Sequence, residues 1–433
     1  MKQHTFAPLK KSSLPGPDDI TRVQLPNGIT ILVRPNFNSM SVSISGYLHA
    51  GSLYEPLEKL GLADFTATCL TRGTERYTFK EIYDKLESIG ASFGFSSGTH
   101  TAGFGGKSLA NDLDTLLEIL ASGLREPTFP AQPVEIIRSQ FLTSLALRAQ
   151  DTGEMSSILF DEIIYEGHPY SYPTDGNPET IQAIQRDDLA DFHARHYGPR
   201  GMVIAVVGAV TPDDAIRRIS ETLGDWANPQ QPEEATVPPV HPLKRTIAKH
   251  ISIPEKSQTD IIMGVVGPPR RSPDYMPAKV GNSVLGQFGM MGRIGNTVRS
   301  KAGLAYYAYS AVSSSIGPGA WYVSAGVNPL NTEKVIKLIK AEVKRFIQEP
   351  VSAEELSNSQ SSYIGKLPLA LESNAGVAEA LLSLERYDLG LDYYHHYEET
   401  IREVTPQSVL NVAQKYLDLD RFAIATAGSG VGD

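Results

Sequence analysis

Strand-like and helix-like hydrophobic spacings alternate along the chain, and the same alternation is written twice. Residues 29–33 (Ile-Thr-Ile-Leu-Val) and 42–48 have strand composition. Residues 93–97 and 102–107, separated by a Gly/Thr turn, predict a hairpin. Residues 80–89 carry helical spacing and stop at Gly90, a C-terminal helix residue by type. Residues 109–124, 134–149 and 155–165 read as amphipathic helices, and 203–207 as a short apolar strand. Thr211-Pro212-Asp213-Asp214 is a helix start, with an N-cap hydroxyl, proline at the first helical position and acids in the first turn. The scheme then recurs as a strand over 261–266, a glycine-punctuated segment, and a hairpin over 305–327 turning at Gly317-Pro318-Gly319. Ser352-Ala353-Glu354-Glu355 supplies a capping box for a helix ending near Pro368.

Between the two runs, residues 229–242 hold five prolines, with Gln230, Gln231, Glu233 and Glu234 among them and no apolar period, as an extended linker does. The halves on either side echo each other. Residues 188–197, ending in Tyr197, precede a strand closing at Gly208; residues 408–416, ending in Tyr416, precede one closing at Gly428. The expected class is therefore α+β: two homologous domains, each a mostly antiparallel sheet with helices packed on it. The expected division is 1–228, a linker over 229–242, and 243–433.

Composition narrows the function. A chain of 433 residues exceeds a single small module. Charged residues are 20% and apolar residues 41%, enough to build packed cores. A net charge of −10 argues against a nucleic-acid footprint, which rests on clustered Lys and Arg. One cysteine, Cys69, excludes an internal disulfide and a cysteine zinc cage. No apolar stretch approaches a membrane span and the start lacks a secretory core, so a cytoplasmic address is expected.

Among ten histidines, none form H-E-x-x-H. His193 and His196 stand three apart on a predicted helix and could face one metal or simply pack. The segment from Leu285 to Tyr306 is more informative. Gly286, Gly289, Gly292 and Gly295 recur every third residue, each costing a helix about 1 kcal/mol against alanine, so a loop or poorly held helix beside a cleft is expected. Arg299 and Tyr306 follow. A guanidinium and a phenol near a turn can together bind a peptide carbonyl or a developing oxyanion; equally, the arginine can be an exposed helix residue and the tyrosine hairpin packing.

This run, Gly292-Arg-Ile followed by Val298-Arg299-Ser-Lys-Ala-Gly-Leu-Ala-Tyr306, resembles the arginine/tyrosine segment of the pitrilysin (insulinase-like) zinc peptidase family, near its mitochondrial processing peptidase-like members. Leu371-Glu-Ser-Asn-Ala-Gly376 and the strand before Gly208 are similar as well, so the resemblance spans residues 23–428. It implies the family's inverted zinc motif, H-x-x-E-H, after Gly61-Leu62-Ala63. This chain instead has Asp64 and Thr68 at the histidine positions and Ala67 at the glutamate position. The third ligand, a glutamate, would fall in residues 136–150, which contain no acid. Three ligands and a base are what zinc needs to hold and activate water, so no metal is expected on this chain.

The resemblance implies a non-zinc subunit of a heterodimeric metallopeptidase, with Arg299 and Tyr306 acting in trans to a zinc-bearing homologous partner. The four glycines would line substrate entry, and peptides or unfolded polypeptides are the implied substrates. The other reading it leaves is a structural or peptide-binding scaffold in which both residues are idle.

Overall fold

The computed structural model describes residues 13–429. The first half runs β1 (Thr21–Gln24), β2 (Thr30–Pro35), β3 (Ser41–Leu48), α1 (Leu62–Cys69), α2 (Phe79–Ser88), β4 (Ser92–Ser97) and β5 (Ala102–Leu109). It continues with α3 (Leu113–Arg125), α4 (Ala131–Arg148), α5 (Thr152–Ile164), α6 (Pro178–Ala183), α7 (Arg186–His196), β6 (Val203–Gly208) and α8 (Pro212–Leu223). The second half runs β7 (Ile247–Ser252), β8 (Thr259–Val266), α9 (Tyr275–Gly286), α10 (Phe288–Gly295), β9 (Ala305–Val312) and β10 (Ala320–Val327). It ends with α11 (Thr332–Gln348), α12 (Ala353–Ala370), α13 (Asn374–Arg386), α14 (Tyr393–Arg402), α15 (Pro406–Tyr416) and β11 (Ala423–Gly428).

The sheets are ordered β1-β2-β6-β3-β5-β4 and β7-β11-β8-β10-β9. Apart from β1 they are the same sheet made twice. β6 and β11 each lie parallel to one neighbour, β2 and β7, and antiparallel to the other, β3 and β8. Each sheet then finishes in an antiparallel hairpin, β4–β5 and β9–β10. The duplication reaches the backbone. β6 and β11 both close on a glycine with φ near +150°, Gly208 at +148° and Gly428 at +150°, where a side chain would strike Ser41 or Gln258 and Thr259 of the neighbouring strand.

Both faces of each sheet are covered, which is why β6 and β11 are apolar without alternation. On β6, Ile204 and Val206 enter the core beneath the helices of the first half, while Val203, Ala205 and Val207 face the other way. That second face is covered from the other half. α13 lays Val377, Leu381 and Leu384 on β3 and β6, and α5 lays Leu159, Phe160 and Ile163 on β8 and β11. Each half thus completes its partner's core with a helix, although sequence assigns α5 and α13 to the halves in which they are encoded.

Residues 229–242 are extended and mostly exposed, but they are tied down rather than free. Gln231 Nε2 donates to Arg200 O at 2.9 Å, the Ala235 amide donates to the Tyr54 hydroxyl at 2.9 Å, and His168 meets Pro238 O at 3.0 Å. The expected capping box is present, with Ser352 accepting from the Glu355 amide, and the helix ends near Pro368 as expected, carrying the proline in its last turn and stopping at Ala370.

Candidate functional site

Two places converge chemistry, one in each half. In the first, α1 begins at Gly61, whose φ of +92° turns the chain into the helix. Glu55 closes that start, Oε1 accepting from the Gly61 amide at 3.0 Å and Oε2 from the Ala63 amide at 2.9 Å. Burial raises the Glu55 carboxyl to about 7 against those stabilising bonds. Asp64, Ala67 and Thr68 share one face of α1, with Asp64 and Thr68 half-buried and Ala67 buried. Burial, then the charge of Asp175, raises the Asp64 carboxyl to about 6, opposed by a bond from the Ser97 backbone. Asp175 itself is ion-paired to Arg148 at the end of α4.

α4 brings no acid to this face. Arg138 stacks over the Phe65 ring at 5.3 Å and Phe141 packs on Phe65 at 5.2 Å. Glu135, the helix's own acid, is engaged by Arg138. A zinc ion requires three donors in reach of one point. Ala67 has none, Thr68 offers a neutral hydroxyl, and among the described residues no group of three His, Cys, Asp or Glu could hold a metal. These residues do not fit the family's zinc site.

The surroundings suit an extended chain instead. β4 pairs only with β5, so its outer edge has no strand partner beside α1, apart from the Ser97 bond to Asp64, and Ser92, Gly94 and Ser96 are exposed on the strand. The outward face of α4 borders an open depression of about 650 Å³, lined by Gln132, Ile136, Gln140, Thr143 and Ser144.

The second place is the turn into β9. After α10 the chain makes a π-helical turn, Asn296–Lys301, of the kind often found at functional sites. Val298 anchors it in the core, and Thr297 donates to Glu342 at 3.2 Å. The Gly303 amide then donates to Arg299 O and the Leu304 amide to Val298 O, both at 3.1 Å, leading into the strand. There the ladder slips. Gly326 faces Tyr307 and Val327 faces Ala305, so Tyr306 is the extra residue of a β-bulge. Its ring is therefore turned out, 61% exposed. Arg299 is exposed too, and neither side chain has a hydrogen-bond or ion-pair partner among the described residues. Tyr307 points to the opposite face, where its hydroxyl donates to Asp260. That carboxylate is buried and also accepts from Gln258 at 3.0 Å and from Thr152 of α5. This network, which locks the strand next to Tyr306, was missed from sequence; its only trace is one acid within the apolar run 259–266.

The glycine segment is helical rather than a loop. Gly286 closes α9 against Ser310 of β9, where a Cβ would lie 2.2 Å from its amide. Gly292, at φ +62°, lies so close to Gly286 that a Cβ would sit 2.6 Å from that amide. Gly295 is buried, and only Gly289 faces open space. Gly286 and Gly292 are thus packing residues, and a bidentate pair from Arg293 to Glu355 on α12, at 2.7 and 2.6 Å, holds α10 in place. The histidine pair is also structural. His193 contacts Leu124 O at 2.9 Å and stacks on Tyr197, and His196 packs on Phe192 and Tyr54.

A duplicated α+β unit with reciprocally covered sheets, a short helix in the zinc-motif position and an arginine/tyrosine turn in the second half defines a metallopeptidase-like fold. The chain belongs to the pitrilysin-like peptidase family. Residues 30–164 match the family model described as insulinase, peptidase family M16, and residues 183–363 match the one described as peptidase M16 inactive domain. An uncharacterized zinc protease of Mycobacterium leprae is 26% identical over 418 residues, 94% of this chain and 92% of that protein. One from Bacillus subtilis is 25% identical over 355 residues, 82% and 85% of the two chains. Among solved structures, a peptidase M16 inactive domain from Pseudomonas fluorescens superimposes with a TM-score of 0.87 at 26% identity, covering 95% of this chain and 99% of its own. A protease from Helicobacter pylori shares the fold at a TM-score of 0.88 and 18% identity, covering 96% and 100%.

Proposed function

We propose that this chain is the non-zinc subunit of a heterodimeric peptidase, binding extended polypeptide and presenting Arg299 and Tyr306 to a bond that a zinc-bearing homologous partner cleaves. The observation that carries the reading is Tyr306, set out of its ladder by a bulge and without a partner among the described residues, as is the exposed Arg299 of the π-helical turn that leads into the strand. A phenol and a guanidinium donate hydrogen bonds to a carbonyl oxygen most strongly as it becomes an oxyanion, and such donors work where they are held ready before reaction. α1 supports the division of labour: with Asp64, Ala67 and Thr68 it offers no metal site, so bond cleavage belongs to the partner. The free edge of β4 supports recognition of an extended backbone, which such an edge can bind without regard to sequence.

The test is reconstitution with a homologous subunit carrying H-x-x-E-H, followed by metal analysis and peptide turnover. Metal should track the partner alone. Tyr306→Phe should lower kcat by about 10²–10³, the usual effect of losing one oxyanion donor, with an unchanged thermal melt. Arg299→Ala should do likewise and also raise KM, because a charged donor holds ground and transition states alike. If both variants fold, pair and cleave at the unmodified rate, the two residues are idle and the chain is a peptide-binding scaffold.

A further inference from the structure

The second half holds a cationic cluster that nothing above uses. Arg270, in the loop before α9, and Lys279, on α9, lie against the same aromatic ring: the Arg270 guanidinium is 4.4 Å and the Lys279 ammonium 5.7 Å from the centre of Tyr275. Tyr363 of α12 walls the lysine at 5.0 Å, and Tyr387 and Tyr393 wall the arginine at 5.7 and 5.5 Å. Both cations are half-buried.

What the cluster lacks is an acceptor of matching charge. Arg270 donates to the Tyr393 hydroxyl at 2.8 Å and to no carboxylate, and Lys279 Nζ has no hydrogen-bond acceptor among the described residues. Neighbouring acids are committed elsewhere: Asp274 to Lys415 and Tyr416, Asp388 to Arg271 at 4.0 Å, Asp392 to His396 at 3.5 Å. Ring faces attract cations by roughly 0.5–2 kcal/mol each, but they accept no hydrogen bond in the ring plane and do not neutralise charge. Burial and the Arg270 charge accordingly push the Lys279 ammonium down to about 8.

We infer that Arg270 and Lys279 form a site for a small oxyanion, the carboxylate of a peptide or a phosphate group, held between the two cations within the tyrosine walls. A guanidinium fork and an ammonium are the donors such oxygens take, and the anion supplies the counter-charge the protein withholds. The inference stands apart from the peptidase reading.

The full chain tests it through competitive lysine acylation by a neutral reagent, read by mass spectrometry in chloride, sulfate or acetate at equal ionic strength. A bound oxyanion raises the lysine's proton affinity, so Lys279 acylation should slow by about tenfold at saturation while Lys415 is unaffected. Slowing by sulfate alone assigns the site to phosphate-type ligands, and slowing by acetate as well assigns it to carboxylates. Arg270→Gln, checked for fold by circular dichroism, should abolish the protection. Equal Lys279 acylation in all three salts, or protection that survives in a folded Arg270→Gln, overturns the site.

Discussion

At the scale of single residues, the zinc-motif position has been rebuilt as part of the scaffold. Asp64 is a carboxyl with no cation of its own, close to Asp175, and its ionisation is disfavoured by burial. Its folded pKa, about 6, lies above its ordinary 3.8, so the folded state holds the proton more tightly than the unfolded state. The resulting penalty is absent below the unfolded value, grows as pH rises through the interval and is complete above about 6. Asp64→Asn removes it. The variant should therefore match the parent in urea midpoint at acidic pH and exceed it at slightly alkaline pH. A midpoint difference that stays constant across that range would show that Asp64 ionises in the fold as freely as in water. Tyr306 shows the opposite logic, an aromatic residue that would ordinarily be buried being turned outward by a slip of one ladder position.

At the scale of elements, the exchanged helices matter most. Phe160 on α5 and Leu381 on α13 are buried against the sheet of the opposite half. Truncating such side chains leaves a cavity and costs about 3–5 kcal/mol for Phe160→Ala and about 2–5 kcal/mol for Leu381→Ala. Because each helix completes the other half's core, either variant should lower the stability of the whole chain in one cooperative transition, seen alike by fluorescence and circular dichroism in urea. Two separated transitions, with one half left at its original midpoint, would mean that the halves fold independently. The glycine segment carries a related lesson: its three-residue period looks like a helix breaker, but Gly286 and Gly292 let α9, α10 and β9 approach more closely than any side chain permits.

At the scale of the molecule, the proline-rich connection joins halves that α5 and α13 also hold together. Its exposed, extended backbone makes residues 229–242 the expected first site of limited proteolysis. The two fragments should then stay together, eluting in gel filtration as the intact chain does while separating under denaturation. Fragments that part under native conditions would refute the interlocking role of the exchanged helices. No helix among the described residues is long and apolar enough to cross a membrane.

The sequence by itself determined the two hairpins, many of the strands and helices, the capped helix starts and the duplication, because periodicity, turn residues and caps are local signals that each half carries separately. It also determined that α1 lacks the histidines and glutamate of the inverted zinc motif, since Asp64, Ala67 and Thr68 stand in their places. It left Arg299 and Tyr306 balanced between an exposed donor pair and ordinary packing. The tertiary structure decided what depends on partners distant in the chain. The strand β10, pairing one residue out of step, turns Tyr306 outward; contacts from α5 and α13 cover sheets encoded in the other half; and close approach of α9, α10 and β9 makes Gly286 and Gly292 packing residues. Arg270 and Lys279 are nine positions apart in an unremarkable stretch, and only the folding of α12 and α14 around α9 encloses two uncompensated charges in tyrosine rings. Such features are absent from local pattern because register, burial and charge balance are properties of contacts, and a contact exists only once both of its sides have folded.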